Sequence, residues 1–349
     1  MATLTSGSRL SIAELIRRET PDGRLADIVD VLSQTNAIIA DGTAIECNNG
    51  TYHEDTRAAT EPTGAERAYD QGVASEAGVT ETVTEPTAMI DGLSEVDVAK
   101  IRHTPDPLGA RSQEDGFFMR GMGKTFASRL FDADRSTNPL RINGINFRSD
   151  YNTLSSSYTY DAGEGSTADD SNFTSIYLIQ WGPKQVNIIY PRNDVLATRG
   201  GDEMSHGISK EDYGRQIIVD PNDSTKKFPA WQTWFELHFG LFVHDPRKIR
   251  RLCNIATSSI NGTTYKSFHE DHLIDMYNDA LNDGGLEGAV LYANATAFAQ
   301  IQKRANIKGN AHFTQVSEGE GPFAHQVTMF WGIPVHLVAQ ITNTQADIT

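Results

Sequence analysis

Residues 114–134 read EDGFFMRGMGKTFASRLFDAD, and two incompatible structures compete for them. Gly123-Lys124-Thr125 has the ending of a phosphate-binding loop. Such a loop needs a strand before it, a helix after it and an earlier glycine, which falls here at position 118. That position is Phe118. Phe118, Met122, Phe126, Arg129 and Leu130 instead recur on one face at helical spacing. Amides inside a helix are already bonded to carbonyls one turn back, so they cannot cradle a phosphate. The stretch therefore predicts one long helix, started by Ser112 and Asp115 and running to Asp134. It ends in Ser136-Thr137-Asn138-Pro139, because the residue before a proline disfavours helix. Gly121 and Gly123 are poor helix formers, at about 1 kcal/mol each. They point to a bend or to close approach by a neighbouring chain. A nucleotide-binding enzyme is the rival reading that this motif leaves open.

The 349 residues carry a net charge of −16, with 38% hydrophobic residues and 15 Phe, 11 Tyr and 4 Trp, ample for a core. So acidic a chain argues against a free-standing nucleic-acid binder, which would carry a basic face. Cys47 and Cys253 fit neither a zinc site nor a disulfide framework and read as idle thiols. The start, MATLTSGSRLSIAELIRRE, has no apolar core long enough for a signal peptide. No run approaches the roughly 18 apolar residues of a membrane span. His269 and His272 sit three apart, but no third metal ligand is evident, and a solvated helix face explains them better. No nucleophile motif or paired acid and base appears. The reading is therefore no catalytic residues, no cofactor and no metal.

Ser11 with Glu14, then Leu25, Ile28, Val29 and Leu32, predict two short N-terminal helices that must lie on something else. Residues 41–99 hold thirteen acidic side chains against Arg57 and Arg67, and no lysine. Disorder is the bland reading of that composition. Short alternating pieces rich in Thr and Val suit a long two-stranded excursion, which has too small a core of its own to order without a partner surface. INGIN, 142–146, reads as a turn between extended pieces. TSIYLIQWG and QVNIIYP read as strands of a hairpin around Gly182-Pro183-Lys184. RQIIVD and AWQTWFELHFGLFV follow as strands, with a turn or bulge at Gly240. Asp245-Pro246 opens a short basic helix bearing Arg247, Lys248, Arg250 and Arg251. That cluster could be a solvated face, could touch nucleic acid, or could receive an acidic segment from a neighbouring copy. Residues 266–282 read as helix, GAVLYAN as strand, ATAFAQIQKRANIKGN as helix closing at Gly309, and FWGIPVHLVAQI as a last strand. The class is α+β without βαβ alternation.

In order along the chain, LADIVDVLSQTNAII, GLSEVDVAKI, the 114–134 stretch, TNPLRINGINF, TSIYLIQWGPKQVNIIYP, WFELHFGLFVHDPRKIRRLCNI, VLYANATAFAQIQKR and WGIPVHLVAQI resemble bacteriophage major capsid proteins of the Hong Kong 97 fold. The resemblance is nearest to epsilon15-like podovirus subunits. It implies an N-arm over 1–40 and an extended β-hairpin loop over 41–90 that lies across the adjacent subunit. It also implies a peripheral domain with a spine helix, from 91–170 and 210–250, and an axial domain from 171–209 and 251–349. The axial-domain blocks follow an order different from the fold's archetype, as in epsilon15-like proteins.

The function so implied is a structural subunit, not an enzyme. It would assemble in the host cytoplasm into hexamers and pentamers of an icosahedral head around double-stranded DNA. An encapsulin-type compartment shell shares the fold and stays as an alternative. Partners so implied are further copies of the chain, a portal, packaged DNA without sequence-specific contact, and in some heads a scaffolding protein and a cement or decoration protein; no membrane is involved. The archetype's Lys–Asn weld uses a lysine in the extended loop, and no lysine stands there in this chain. Glu61 and Glu66 of the loop, and Arg247, Lys248, Arg250 and Arg251, are the candidates for inter-subunit contact.

Overall fold

Phe173–Gln180, FTSIYLIQ, is a strand (β6) in which all eight residues are buried, as a continuous β-branched and aromatic run dictates when both faces are covered. A computed structural model gives its surroundings and describes residues 37–102, 106–162, 172–192, 209–220, 222–257, 270–305, 312–318 and 325–348. The N-terminal helices and the closure at Gly309 lie outside those residues. Packing divides the chain into two units.

The larger unit comprises Asn36–Ala88, Ala127–Asn193 and Phe239–Thr349. Its seven-stranded mixed sheet runs Phe313–Glu318 (β12), His325–Phe330 (β13), Ile333–Leu337 (β14), Ala289–Ala293 (β11), β6, Ile249–Ala256 (β10) and Thr159–Asp161 (β5). β6 pairs antiparallel with both β10 and β11, while β11 runs parallel to β14 and β10 to β5. The helices Glu270–Asn282 (α4) and Ala295–Ala305 (α5) bury Leu273, Met276, Ala280, Ala297 and Ile301 against this sheet's Ile176, Leu178, Leu252 and Leu291. Truncating any one of these large side chains to alanine would cost about 2–5 kcal/mol.

The same unit holds the short helix Ala37–Asp41 (α1) and the strands Ala44–Glu46 (β1) and Val186–Tyr190 (β7). β7 lies between β1 and the end of the 21-residue strand Asp223–Val243 (β9). The two-stranded excursion forms as Tyr52–Thr60 (β2) against Val79–Pro86 (β3), antiparallel and in register from Tyr52↔Pro86 to Thr60↔Val79.

Of the described residues, the smaller unit takes in Met89–Phe126, less 103–105, and 209–238, less 221. Its described parts are most of Ala88–Asp97 (β4), the helical turn Val98–Ile101 (α2), the bulk of the long helix Pro107–Asp132 (α3), and Ser209–Asp220 (β8) hairpinned onto β9. Phe118 stacks on Phe235 at 5.5 Å, and Val96, Ile101 and Ala110 pack with Trp231. Arg111 crosses Trp231 at 5.0 Å, binds Thr233 and pairs with Asp212, while Asp115 takes Lys210 at 2.6 Å.

The structure corrects several element assignments. α3 starts at Pro107, not near Ser112, because Asp106 caps it by accepting from the Gly109 amide and proline suits the first turn. Gly121 meets nothing within 4 Å among the described residues, so none of them requires it by a close approach. INGIN is no link between strands. Gly144 lies against the Phe131 and Ala133 backbone, where a Cβ would sit 2.7 Å away, and a 3-10 turn follows. β6 and β7 are not a hairpin: Lys184 turns at φ +60, and the two strands enter different sheets. Gly240 makes no turn; β9 continues through it, and a Cβ there would press on Ile189 at 2.7 Å and the Pro86 carbonyl at 2.9 Å. The last strand is two, β13 and β14, joined at Trp331-Gly332. RKIRRLCNI is not a helix either. A 3-10 turn, Pro246–Lys248, leads directly into β10, all of whose residues are buried.

Candidate functional site

The excursion is built unevenly. Its root is packed: Val83 joins the cluster of Cys47, Ile189 and Phe242. His53 meets the edge of Phe242 at 4.5 Å, and the His244 ring lies against the same Phe242 at 4.4 Å. The His244 Nδ1 contacts the Asp55 carboxylate at 2.7 Å. Burial works to raise the Asp55 pKa, but hydrogen bonds from the Thr56 amide and the His244 ring outweigh it and hold the carboxyl below its ordinary value. Burial lowers the His53 pKa, and the neighbouring His244 lowers it further.

Deeper still, Glu85 accepts from Arg148 at 2.5 Å, both side chains nearly buried. Arg148 also donates to the Leu241 carbonyl at 3.0 Å and to the Asn143 carbonyl at 3.2 Å. Beyond the root the ladder changes character. From Ala58 to Thr82 every residue is exposed, and Tyr69 is 98% exposed. The hairpin thus has an anchored base and a distal half with no core on either face.

A cleft of about 720 Å³ opens beside the root, with Asp55, Arg57, Glu61, Glu81, Lys184 and Arg247 among its walls. It brings together two of the residues singled out from sequence, Glu61 and Arg247. Arg247 is half exposed and clamps Asp245, holding that carboxyl below its ordinary pKa against the opposing effect of burial. Glu66 stands apart on the exposed tip.

The remaining three basic candidates are turned inward. Lys248 donates to the Asp283 carbonyl at 3.2 Å, just past the C-terminus of α4, where a cation opposes the helix dipole. Arg250 pairs with the Asp283 carboxylate and donates to the Tyr160 hydroxyl at 2.6 Å. Arg251 donates to Ser175 at 3.0 Å, to Gln345 at 2.9 Å and to the Tyr151 carbonyl at 2.9 Å. With Arg250 and Arg251 only 2% and 3% exposed, neither charge can receive a neighbour's acidic loop. The helix reading misled, because a strand with two buried faces hides consecutive side chains that a surface helix would expose. The sequence reading missed His53, His244, Arg148 and Glu85; 63 residues separate the last two, and no local spacing links them. The two thiols are buried, and burial first of all pushes Cys47 up to about 11 and Cys253 up to about 12.

The model of the family described as "Major capsid protein GP7" matches residues 20–349. The chain belongs to this family. A solved structure of bacteriophage epsilon15 is 26% identical to the capsid protein, with a TM-score of 0.70, covering 100% of this chain and 99% of that one. The capsid of bacteriophage JBD30 shares the fold at 11% identity and a TM-score of 0.50, over 95% of this chain and 99% of its own. An encapsulin from Synechococcus elongatus scores 0.44 at 10% identity, covering 74% of this chain and 100% of that one, too distant to argue for the compartment alternative. No curated protein sequence matches. The capsid protein is a structural subunit of an icosahedral phage head, part of the virion, with an α+β fold of the Hong Kong 97 type. Among the described residues no helix is long and apolar enough to cross a membrane.

Proposed function

We propose that the capsid protein closes its shell as hexamers and pentamers, and that the 41–90 excursion is the extended loop laid across an adjacent subunit. The observation that carries this is the hairpin's distal half, exposed on both faces. An isolated two-stranded ladder is marginal in water, and a neighbouring copy is the surface a shell provides. The remaining domains keep their expected roles: an N-arm over 1–40, a peripheral domain from 91–170 and 210–250, and an axial domain from 171–209 and 251–349.

The loop's contacts are non-covalent, since 41–99 offers no lysine for a weld. Glu61 and Glu66 supply its charge to the neighbour. Exposed ion pairs are individually weak, at about 0–1 kcal/mol, but a closed shell repeats each one many times. The net charge of −16 suits a wall around packaged double-stranded DNA that must not stick to it. A portal, a scaffolding protein and a cement or decoration protein complete the set of partners. The role is structural, without catalysis or cofactor.

Electron microscopy of the expressed chain should show closed particles. Glu61→Lys with Glu66→Lys should lower particle yield several-fold while leaving the melting of the unassembled subunit unchanged. An unchanged yield would remove the loop's charges from assembly.

A further inference from the structure

Trp331 lies in the tight turn between β13 and β14 with φ +46, followed by Gly332 at φ +85. Two-residue turns of this hand favour Asn-Gly, because the first residue must adopt a left-handed backbone. A bulky side chain there is an outlier, and strained residues of this kind cluster at functional sites. The other non-glycine residues with positive φ among the described residues are Asp70, Lys184 and Asn254, of which Asp and Asn are tolerant types.

The strained turn holds the indole in a fixed place. Tyr277 meets it edge-on at 4.9 Å, Phe330 stacks at 5.4 Å and His312 tilts against it at 5.3 Å. Yet Trp331 keeps 38% of its surface exposed. It lines a cleft of about 540 Å³ with Tyr277, Trp181, Leu286 and one carboxylate, Asp41.

Asp41 is oriented from behind. Its Oδ2 accepts from the Tyr292 hydroxyl at 2.8 Å and contacts His336 Nδ1 at 2.7 Å. Tyr292 is itself fixed by the Trp181 indole N–H at 2.8 Å. No hydrogen bond from a described residue reaches the other oxygen, Oδ1. Aromatic faces and a held carboxylate attract the same kind of ligand, a cation with an apolar stem. Anions are repelled by the carboxylate, and a purely apolar ligand would desolvate its Oδ1 without giving it a partner.

We infer that the cleft between Trp331 and Asp41 receives a lysine or arginine side chain from a second copy of this chain. A shell sets neighbouring copies edge to edge, and charge complementarity chooses a cation as the occupant. The inference rests on shell assembly, but not on the hairpin docking proposed above, which uses different residues.

The test places p-benzoylphenylalanine at Trp331 in chains co-expressed with the unaltered chain, so that particles form. A parallel preparation places it at Tyr277, in case the turn rejects the probe. Electron microscopy of each preparation scores shell formation separately from cross-linking. Irradiation of the particles should give a covalent dimer of the 38.4 kDa chain, with the attached peptide carrying a Lys or Arg at or beside the linked residue. Asp41→Asn in the probe-bearing chain should reduce that dimer several-fold. Intact particles yielding no dimer from either position would overturn the inference. So would a dimer through a peptide without Lys or Arg, an adduct with another virion protein, or a yield indifferent to Asp41→Asn.

Discussion

Glu85→Gln is the sharpest perturbation of the hairpin root. The substitution keeps the side chain's shape and removes only its charge. It leaves Arg148, with 10% of its side chain exposed, facing an uncharged amide. Breaking a buried ion pair from one side costs about 3–5 kcal/mol, because the remaining charge stays desolvated. Taking the lower figure, the root should open roughly 150-fold more often, since each ~1.4 kcal/mol is a factor of ten.

Amide hydrogen exchange on unassembled protein reads this directly. The hydrogen-bonded amides within 53–56 and 82–85 are protected by the ladder from Tyr52↔Pro86 to Thr56↔Thr82 and should lose that protection. The amides of β6 and β11 should not change. Arg148→Met alone should act similarly, by stranding Glu85. The double variant, with neither charge left, should be milder than the sum of the two, and that non-additivity is the signature of a pair. Unchanged exchange in Glu85→Gln, or strict additivity in the double variant, would refute the claim that this pair pins the excursion.

The inward-turned basic cluster makes a contrast testable by urea unfolding. Arg251→Met, which strands the Tyr151 carbonyl and takes a donor from Ser175 and Gln345 while those two stay bonded to each other, should cost about 1–3 kcal/mol, the range for one unsatisfied buried group. Arg247→Ala should stay within about 0.5 kcal/mol, as surface changes usually do. Gly121→Ala should raise the subunit's stability by about 0.8–1.0 kcal/mol, since nothing lies near its missing Cβ; a fall in melting temperature would show a hidden contact. For pH, the depressed His53 pKa means the unfolded chain binds the proton more readily. Stability from His53 is thus fully present above about 6.5 and is lost as pH falls below that value. Asp55, also depressed, adds a second loss only as pH falls below the ordinary carboxylate value of 3.8. Protection factors at the root, corrected for the slower intrinsic exchange at low pH, should fall from pH 7.5 to 5.5 in the native sequence more than in His53→Gln.

Elements with a strong local signature were legible. The 114–134 face, the β6 run, the helix read over 266–282 and described from Glu270, and the paired strands of the acidic excursion all follow from periodicity, which a chain carries residue by residue. The ordered set of blocks also carried the family. Local signals failed where partners are distant. Nothing near Gly182-Pro183-Lys184 says that β6 and β7 enter different sheets, and Gly240 looks like a turn until the Pro86 carbonyl arrives beside it.

The assembly residues divide the same way. Composition alone marked 41–99 as acidic, without lysine and without enough apolar surface to hold itself, because charge and hydrophobic content need no coordinates. Composition also made Arg247, Lys248, Arg250 and Arg251 look like one basic patch. Only the tertiary structure separated them, leaving Arg247 at the cleft with Glu61 and burying Arg250 and Arg251 in β10. A charge run states how much charge a segment has. Which side of it meets solvent depends on the strands that pack against it, and those come from residues a hundred positions away.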